Sequence, residues 1–550
     1  MVNFKNKPLI VLSAILIALS TSIHAKNNKS KPVTTVDSLD HTLVNWFNKD
    51  GITDSIYGAS VYKTYEFLKD KTPKKKIIVA VIDGGIDIHH EDLKDKIWVN
   101  QDEIPGNGID DDNNGYIDDV NGWNFIGSKE GQNIDIENIE YVRLIRQLES
   151  KYKNTDPKTI SKDQRKEFAL YQFCEKEYEK ELQKYQERSV KISRLSSRIE
   201  NSENLLKQYL DTDSLNLKLI KEIEDAPDSI MKAKGFMTNL YNNSFSYESF
   251  NEYKKHINLY LNKHLNLEYE VRSKIINDNV NDITDAGYGN MDVIGPDAHH
   301  GTHVAGIIGA VQKNGIGIDG VAENIEIMAI RAIPNGDEYD KDIALAIRYA
   351  VDNGANIINM SFGKSTSPQK HFVDDAIKYA EKANVLLIHA SGNDGINIDK
   401  QLRYPHKVFN NKKQAANWIS VGASTHHLDT QFIGNFSNYG AKYVDVFAPG
   451  VDVVSLYPGN QYQINSGTSM ACPVVSGVAA LIWSYYPELT MLQLKHILLQ
   501  SATKYKKLKV NTPNLGSEKK TIKPSKLSRI STTGGLINAY NAAKMAESMN

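Results

Sequence analysis

Short apolar runs rich in β-branched residues alternate with amphipathic stretches over much of this chain. The run at residues 76–82 is almost wholly apolar, which is typical of a strand buried on both faces of a parallel sheet. Similar runs predict strands at 325–333, 384–389 and 418–423, and the apolar spacing at 341–352 predicts an amphipathic helix among them. This alternation predicts an α/β fold with a mainly parallel sheet.

Three later stretches are predicted to be helices of the same fold. An apolar helix opens at Ser469, and residues 489–501 and 535–546 are predicted as closing helices. Right-handed crossovers between parallel strands place helices on both faces of the sheet, which predicts a three-layer arrangement.

The composition changes between about residues 129 and 281, where charged and tyrosine-rich segments replace the glycine-punctuated pattern. Apolar residues from 171 to 209 recur mostly at three- and four-residue steps, which predicts a long amphipathic helix with a coiled-coil-like stripe. Residues 139–148 are predicted to pack against it as an antiparallel arm, and 229–240 and 247–265 to form further helices. This helical insertion is either a module that docks a partner or a self-contained decoration.

Composition and charge narrow the range of functions. The 550 residues carry a formal net charge of -2 at pH 7, so there is no basic excess for binding nucleic acid. The only two cysteines are Cys174 and Cys472, which excludes a framework of disulfides. Cys472 lies in a predicted buried helix and Cys174 in the charged insertion, so we expect two free thiols.

The amino terminus has the pattern of a secretory signal peptide. Lys5 and Lys7 precede an apolar stretch at 8–19, and small residues follow up to Ala25. The apolar stretch is short for a membrane span, so we expect cleavage, a secreted or periplasmic protein and no stable membrane span after cleavage. The alternative is an uncleaved anchor.

Three segments outside the insertion carry residue types suited to nucleophilic catalysis. Asp83 follows the 76–82 strand and precedes two glycines, which places its carboxylate at the carboxyl edge of the sheet. Segment 300–306 reads His-Gly-Thr-His-Val-Ala-Gly, and 465–473 reads Asn-Ser-Gly-Thr-Ser-Met-Ala-Cys-Pro around Ser469. A serine hydroxyl needs a base to take its proton and a carboxylate to orient that base, so the segments together predict a serine nucleophile.

The order Asp, His, Ser and the motifs at 300–306 and 465–473 resemble those of the subtilisin-like serine proteases, the subtilase family. The resemblance covers about residues 51–546 apart from the insertion. Further matching segments lie at 356–363, 390–394, 436–440 and 447–450. The resemblance implies a subtilisin-like three-layer fold and the activity of a serine-type endopeptidase.

The resemblance also implies the catalytic residues. Asp83, His300 and Ser469 would form the triad, with an acyl-enzyme on the serine. His300 rather than His303 is the expected base, because it aligns with the first histidine of the family motif. Asn393 matches the asparagine that holds the oxyanion, and the backbone N–H of Ser469 is the expected second donor.

A substrate cleft is implied by two of the matching segments. Residues 356–363 match the strand that pairs with an extended substrate peptide. The residues expected to line the primary pocket are Ser361, Phe362, Gly363, Ala390, Ser391 and Gly392. Arg403 aligns close to the pocket base, where it would favour an acidic residue before the scissile bond by charge-assisted pairing. The alternative is that Arg403 faces solvent or pairs with a surface acid.

Two departures from the family pattern concern catalysis and maturation. The family usually has Ser or Thr after the catalytic aspartate, where this chain has Gly84, so a hydroxyl contact to the carboxylate is missing. Residues 26–76 are too few for the larger inhibitory domain of many secreted relatives. They are predicted to be a short pro-region plus the start of the mature domain.

The acidic loop at 110–121 predicts a structural calcium site. Its oxygen-bearing residues stand at positions one, three, five and nine of an EF-hand-like loop, with glycine at six. The predicted ligands are Asp110, Asp112, Asn114, Tyr116 and Asp118. Position twelve carries Asn121 in place of the bidentate glutamate, so the acidic segment 278–285 is a candidate to complete the coordination. The alternative is a solvated turn without metal.

Four regions are therefore predicted. They are a signal peptide at 1–25, an N-terminal segment at 26–76, a subtilisin-like peptidase domain at 77–128 and 282–550, and the helical insertion at 129–281. Two functions stay open. One is a secreted serine endopeptidase acting on protein or peptide substrates; the other is a catalytically weak or inactive subtilisin-like scaffold that acts as a secreted binding or chaperone protein through its insertion.

Overall fold

The computed structural model of the protein describes residues 31–243, 245–514 and 524–549. The predicted signal peptide at 1–25 lies outside the described residues. Two compact units are present, one formed by Ile136–Glu270 and the other by the described residues before and after it.

A nine-stranded sheet is the centre of the larger unit within the described residues. The described residues of this unit form thirteen strands, which in chain order are β1 (Ile77–Asp83), β2 (Gly122–Asn124), β3 (Ile325–Arg331), β4 (Ile357–Met360), β5 (Leu386–Ala390), β6 (Trp418–Ser424), β7 (Val446–Pro449), β8 (Val453–Tyr457), β9 (Gln461–Asn465), β10 (Thr503–Lys504), β11 (Lys509–Asn511), β12 (Pro524–Lys526) and β13 (Gly535–Leu536). Of these, β8 with β9 and β11 with β12 make two separate two-stranded sheets, and the others form the central sheet. The spatial order of the sheet is β10-β13-β7-β6-β5-β4-β1-β3-β2. Only the β10–β13 pair in it is antiparallel, which confirms the predicted mainly parallel sheet.

The helices divide between the two units. In chain order they are α1 (Val61–Phe67), α2 (Glu140–Tyr152), α3 (Arg165–Leu210), α4 (Leu217–Lys221), α5 (Asp228–Asn242), α6 (Tyr247–Leu259), α7 (Arg272–Ile275), α8 (His299–Gly309), α9 (Asp340–Asp352), α10 (Lys370–Lys382), α11 (Thr468–Tyr485), α12 (Met491–Gln500) and α13 (Ala539–Met549). Helices α2 to α6 belong to the smaller unit, and the others belong to the larger one.

Both faces of the sheet are covered, which produces the predicted three layers. Successive residues of β1 point to opposite faces, so Val79 and Val81 pack into one core while Ala80 and Ile82 pack into the other. The first core includes apolar residues of α8 and α11. The second core is closed by α9 and α10. The α/β fold with three layers is therefore confirmed.

The smaller unit has a hydrophobic core of its own. Helix α3 is 46 residues long, and the apolar stripe that predicts it is buried against the other helices of the unit. Tyr185 of this stripe stacks on Tyr260 with ring centroids 4.2 Å apart. The helix predicted at 247–265 ends as an α-helix at Leu259 and continues as a π-turn, which brings His264 Nδ1 within 2.8 Å of the Glu137 carbonyl oxygen.

One predicted helix of the larger unit begins differently in the structure, and another has the composition of a membrane span. The closing stretch at 535–546 begins as strand β13, because Leu536 pairs with Phe447 of β7 at the sheet edge. Among the described residues, α11 is the one helix with the length and apolar composition of a membrane span, and 89% of its most apolar window is buried inside the protein.

Candidate active site

Asp83 and His300 meet at the carboxyl edge of the sheet. Asp83 is the last residue of β1 and is only 3% exposed, and His300 lies in the first turn of α8. His300 Nδ1 lies 2.8 and 2.9 Å from the two carboxylate oxygens of Asp83. A carboxylate in this position favours the tautomer with the proton on Nδ1, which makes Nε2 the basic nitrogen.

Glycine on both sides allows this close approach. A Cβ at Gly301 would lie 2.2 Å from the Gly85 carbonyl oxygen and 3.0 Å from Asp83 Cβ. The backbone N–H of Gly84 donates to Asp83 Oδ1 at 2.8 Å, so a backbone amide contacts the carboxylate although residue 84 has no hydroxyl. A side chain at position 84 would crowd the Ile333 carbonyl oxygen at 3.1 Å.

A buried arginine holds the turn after Asp83. Arg331 Nε donates to the Gly84 carbonyl oxygen at 2.8 Å, and Nη1 donates to Asn124 Oδ1 at 2.9 Å. Burial lowers the pKa of Arg331 to about 10, which leaves the guanidinium charged at neutral pH. No local sequence pattern predicts this role of Arg331, since its pairing with the turn depends on contacts distant along the chain.

Ser469 lies at the start of α11 beside the predicted substrate strand. Its Oγ donates to the carbonyl oxygen of Ser361 at 3.0 Å, and Ser361 Oγ donates to the carbonyl oxygen of Ser469 at 3.0 Å. Asn359 Nδ2 in turn donates to Ser361 Oγ at 3.0 Å. The position at a helix amino terminus favours negative charge that develops near the serine.

Asn393 is anchored on the residue before Ser469. Its Oδ1 accepts hydrogen bonds from the backbone N–H and the Oγ1 of Thr468, both at 2.9 Å. These hydrogen bonds fix the orientation of the amide, so that its Nδ2 points away from Thr468. Nδ2 lies 3.5 Å from where a Cβ of Gly467 would be. The side-chain donor and the amino terminus of α11 are therefore neighbours.

The two other histidines of the α8 region have different partners. His303 is fully buried, and its Nε2 lies 3.1 Å from the carbonyl oxygen of Gln463. His299 pairs with Asp297. The structure thus brings His300, and not its neighbours, to Asp83.

The predicted pocket residues lie at the carboxyl ends of β4 and β5. The carbonyl oxygen of Phe362 accepts a hydrogen bond from Nε2 of His389 at 2.9 Å. Burial lowers the pKa of His389 to about 4, so this imidazole is neutral at neutral pH. Gly363 lies against the carbonyl oxygen of Tyr404, 3.0 Å from where a Cβ would be. Ala390, Ser391 and Gly392 lead from β5 directly to Asn393.

Arg403 forms an ion pair next to Asn393. Its Nε donates to Asp394 Oδ2 at 2.9 Å, and its side chain is 17% exposed. This contact corresponds to the alternative in which the arginine pairs with a nearby acid. Asp394 directly follows Asn393, the predicted oxyanion donor, so the ion pair holds a cationic side chain next to that donor along the chain.

The acidic loop holds a carboxylate cluster that differs from the predicted ligand set. One oxygen from each of Glu103, Asp112 and Asp119 lies within 4.8 Å of the others. Burial raises the pKa values of Glu103 and Asp119, and neighbouring carboxylates add to both effects. Oxygen ligands of this kind fit a hard cation such as calcium. Glu103 precedes the EF-hand-like loop, and Asp119 stands at its position ten, which supplies no ligand in the EF-hand pattern, so the spacing rule missed both.

The remaining predicted ligands have other contacts. Asp118 accepts hydrogen bonds from the backbone N–H groups of residues 106, 107 and 108, and Asp110 accepts from those of 114 and 115. Asn114 Nδ2 donates to Asp112 and Asp119, while the Tyr116 ring packs on Trp123, Phe125 and Tyr349. The predicted completion by the 278–285 segment is corrected, because Asp278 pairs with Arg272 and Lys341.

Known proteins are similar to this chain over most of its length. The model of the subtilase family matches residues 74–516. A thermophilic serine proteinase of Bacillus sp. (strain AK1) is 41% identical over 204 residues, which are 37% of this chain and 46% of the relative. Subtilisin Savinase of Lederbergia lenta is 38% identical over 205 residues, 37% of this chain and 70% of the relative. The chain spans about half the length of the first curated relatives that it matches.

Two solved structures match part of this chain. Proteases from Pseudoalteromonas arctica match at 26% identity over 49% of this chain and 82% of the other, with a TM-score of 0.39. A cold adapted subtilisin-like serine proteinase matches at 28% identity over 47% and 79% of the two chains, with a TM-score of 0.35.

Proposed function

Because the chain belongs to the subtilase family, we propose that it is a serine endopeptidase that hydrolyses peptide bonds through an acyl-enzyme on Ser469. The observation that carries this proposal is the contact of His300 Nδ1 with both oxygens of Asp83 at 2.8 and 2.9 Å. This contact orients an imidazole as a general base at the same sheet edge as the substrate strand and Asn393.

The proposed reaction proceeds in two steps. Ser469 Oγ attacks the scissile carbonyl carbon while His300 Nε2 takes the hydroxyl proton, and Asp83 stabilises the imidazolium that forms. His300 then gives the proton to the leaving amine, which leaves an ester on Ser469. Water attacks this ester with the same base, and the acid product departs as Ser469 regains its proton.

Two donors are proposed to hold the oxyanion of each tetrahedral intermediate. They are the side-chain Nδ2 of Asn393 and the backbone N–H of Ser469 at the start of α11. Loss of one such donor costs about 100- to 1,000-fold in kcat, a range established with subtilisin, a member of this family. Asn393 is suited to this role because its other amide atom is already held by Thr468.

Protein or peptide substrates are proposed to bind in extended form along the strand end at 361–363. Ser361, Phe362 and Gly363 would form one wall of the primary pocket, and residues 390–392 the other. We assign this peptidase domain to residues 77–128 and 282–550, and the helical insertion to 129–281. The signal-like pattern at 1–25 supports a secreted or periplasmic location.

Covalent labelling tests the proposal directly. A fluorophosphonate reacts with a serine only when a base activates it, so we expect the wild-type protein to be labelled in the presence of calcium. Ser469→Ala and His300→Ala should abolish labelling. His299→Ala is the matched control, because this neighbouring histidine pairs with Asp297 and should leave labelling intact. An unlabelled wild-type protein would contradict the proposal and favour the binding or chaperone scaffold.

Calcium is proposed as a structural ion at the carboxylate cluster of Glu103, Asp112 and Asp119. A bound cation would relieve the repulsion among these carboxylates and stabilise the loop. We expect the midpoint of thermal unfolding to fall by several degrees when a chelator replaces calcium. Asp112→Asn should remove most of this difference. Asp110→Asn, in the same loop but outside the cluster, should preserve it; equal effects of both variants would contradict the assignment.

A further inference from the structure

We propose that Asn438 is a positioning residue for Asn393, the oxyanion donor, an inference that rests on the proposed endopeptidase activity. Asn438 lies in the loop between β6 and β7 and is fully buried. It belongs to the segment 436–440, one of the segments that resemble the family. The contacts of its side chain assign it a more specific task.

The amide of Asn438 spans the loop that carries Asn393. Its Oδ1 accepts hydrogen bonds from the backbone N–H groups of Asp394 at 3.1 Å and Ile396 at 3.0 Å. Its Nδ2 donates to the carbonyl oxygen of Ser391 at 2.9 Å and to Asp394 Oδ2 at 3.2 Å. One buried side chain therefore holds the backbone on both sides of Asn393.

The backbone of the same residue adds a further contact. The N–H of Asn438 donates to the carbonyl oxygen of Gly392 at 2.9 Å. Gly392 has a φ of +98°, and a Cβ there would lie 2.5 Å from Asn438 Nδ2. The residue before the oxyanion donor is therefore glycine for two reasons, its left-handed backbone and the closeness of the amide.

Thr468 holds the same loop from the opposite side. Its Oγ1 accepts from the backbone N–H of Gly392 at 3.1 Å and donates to Asn393 Oδ1 at 2.9 Å. Because Thr468 precedes Ser469, its hydrogen bonds connect the loop to the nucleophile. Asn438 holds the backbone of the loop from the other side, so Thr468 and Asn438 are both needed to fix the position of Asn393 Nδ2.

The contacts of this loop differ in burial, and the buried ones contribute most to holding it in place. The ion pair of Arg403 with Asp394 also touches the loop, but Asp394 is 46% exposed and water screens the pair. The Asn438 amide is fully buried, so its removal leaves backbone N–H and C=O groups without partners. The loop is then expected to relax toward other partners. A displacement near 1 Å at a catalytic group costs about 100-fold in rate.

Kinetics on a short chromogenic peptide, with a peptide boronic acid as the tetrahedral mimic, test this role. We expect Asn438→Ala to lower kcat by about 10- to 100-fold and to change KM by less than about threefold. The affinity for the boronic acid should fall by a factor similar to kcat. Asn438→Ser, which keeps a small polar group in the site and folds more readily, should lose less.

The matched control is Asn417→Ala. Asn417 is also fully buried, and its Nδ2 donates to the carbonyl oxygens of Ile377 and Val385 at 3.3 and 3.1 Å, away from the oxyanion loop. We expect this variant to lose stability while its kcat stays within about threefold of wild type. Loss of kcat in equal measure in both variants would overturn the inference, because it would indicate a general structural effect.

A double variant separates positioning from an independent contribution. Asn393→Ala removes the donor, so adding Asn438→Ala should slow the enzyme by no more than about threefold further. Multiplicative losses would overturn the inference, as would wild-type kcat in both Asn438 variants. A wild-type protein that neither turns over peptide nor reacts with a fluorophosphonate would instead overturn the proposed function, and the inference with it.

Discussion

The contact between His300 and Asp83 depends on a residue without a side chain. A Cβ at Gly301 would lie 2.2 Å from the Gly85 carbonyl oxygen, and this backbone atom cannot move aside cheaply. We expect Gly301→Ala to displace the start of α8 and to lower kcat/KM by at least about 100-fold. Steady-state kinetics on a short peptide, with circular dichroism as a check of folding, measure the effect.

Gly309→Ala provides the control for this prediction. It lies at the other end of the same helix, and its Cβ would crowd the side chain of Ile325, 2.3 Å from Cδ1 and 3.1 Å from Cγ1, while the nearest backbone atom, the Ala322 carbonyl oxygen, lies at 3.6 Å. This variant should lose stability but keep kcat/KM within about threefold. Comparable kinetic losses in both variants would contradict the explanation by local geometry.

The ion pair of Arg403 with Asp394 predicts how substrate preference can be changed. While the pair is intact, the charge of the guanidinium is matched by a carboxylate. We expect Asp394→Asn to raise the kcat/KM ratio of acidic to apolar substrates about tenfold, because the arginine then pairs with the substrate. Profiling a peptide library measures this ratio, in which any general loss of rate cancels.

Arg403→Ala on the Asp394→Asn background should return the ratio to its wild-type value. If the ratio stays raised in the double variant, another residue reads the acidic side chain. An unchanged ratio in Asp394→Asn would show that Arg403 is too far from the scissile bond to select substrates.

Residues with a linear signature were easier to predict than residues defined by their surroundings. The pairing of Asp83 with His300 could be predicted because both residues lie in segments that resemble motifs of the family. Glu103 precedes the EF-hand-like loop and Asp119 stands at a position of it that supplies no ligand, so only the folded loop shows that they join Asp112. Asn438 contacts a loop more than 40 residues away along the chain, and no local pattern indicates such a contact.

At the scale of elements, hydrophobic patterning located several central strands and long helices but not their ends. Strand β1 was predicted at 76–82 and occupies Ile77–Asp83, since an apolar run marks the buried part of a strand. The hairpin of β8 and β9 was not predicted. The prediction of a helix from residue 535 is wrong at its start, which is strand β13. An apolar pair such as Leu536 and Ile537 fits a strand or a helix, and the pairing with β7 decides for the strand.

The segment between β3 and α9 contains a buried acid that makes stability depend on pH. Glu338 is 2% exposed, and desolvation raises its pKa to about 8. Nearby, Lys364 Nζ pairs with Asp340 at 3.0 Å and donates to the Glu338 carbonyl oxygen at 2.7 Å. Between about pH 4.5 and pH 8 the folded state keeps a proton on Glu338 that the unfolded chain has lost. Stability therefore decreases across this window as the pH rises.

Glu338→Gln should remove this dependence, because the amide is neutral at every pH. We expect the free energy of unfolding of the variant minus that of wild type to increase from pH 5 to pH 8, by on the order of 3 kcal/mol. Urea unfolding at several pH values measures it. Glu326→Gln, at a more exposed glutamate of β3, is the control and should show little change with pH. A constant difference for Glu338→Gln would contradict the assignment.

At the scale of the whole molecule, the described chain has separate hydrophobic cores in its two units. The change of composition indicated the helical region, and the cores explain why: its tyrosine-rich helices pack on one another. The contacts among these helices could not be predicted from the sequence, since an amphipathic stripe shows that a helix face is buried but not which helix covers it.

Separate cores predict separate effects of mutation. Leu206 of α3 is fully buried in the core of the helical unit. We expect Leu206→Ala to destabilise that unit by about 2–5 kcal/mol and to leave kcat on a short peptide within about twofold of wild type. Thermal unfolding combined with peptide kinetics measures both quantities. A loss of kcat above about tenfold would show that the two units are energetically coupled.

The position of the proposed triad residues along the chain also has a consequence for biosynthesis. β1 lies between β3 and β4 in the sheet, so the strand that ends in Asp83 is made long before its neighbours. α11, which opens next to Ser469, follows the whole helical unit and most of the sheet. A chain still on the ribosome therefore lacks Ser469 until α11 has been made. Under the proposed mechanism, incomplete translation products have no nucleophile with which to attack peptide bonds in the cell that makes them.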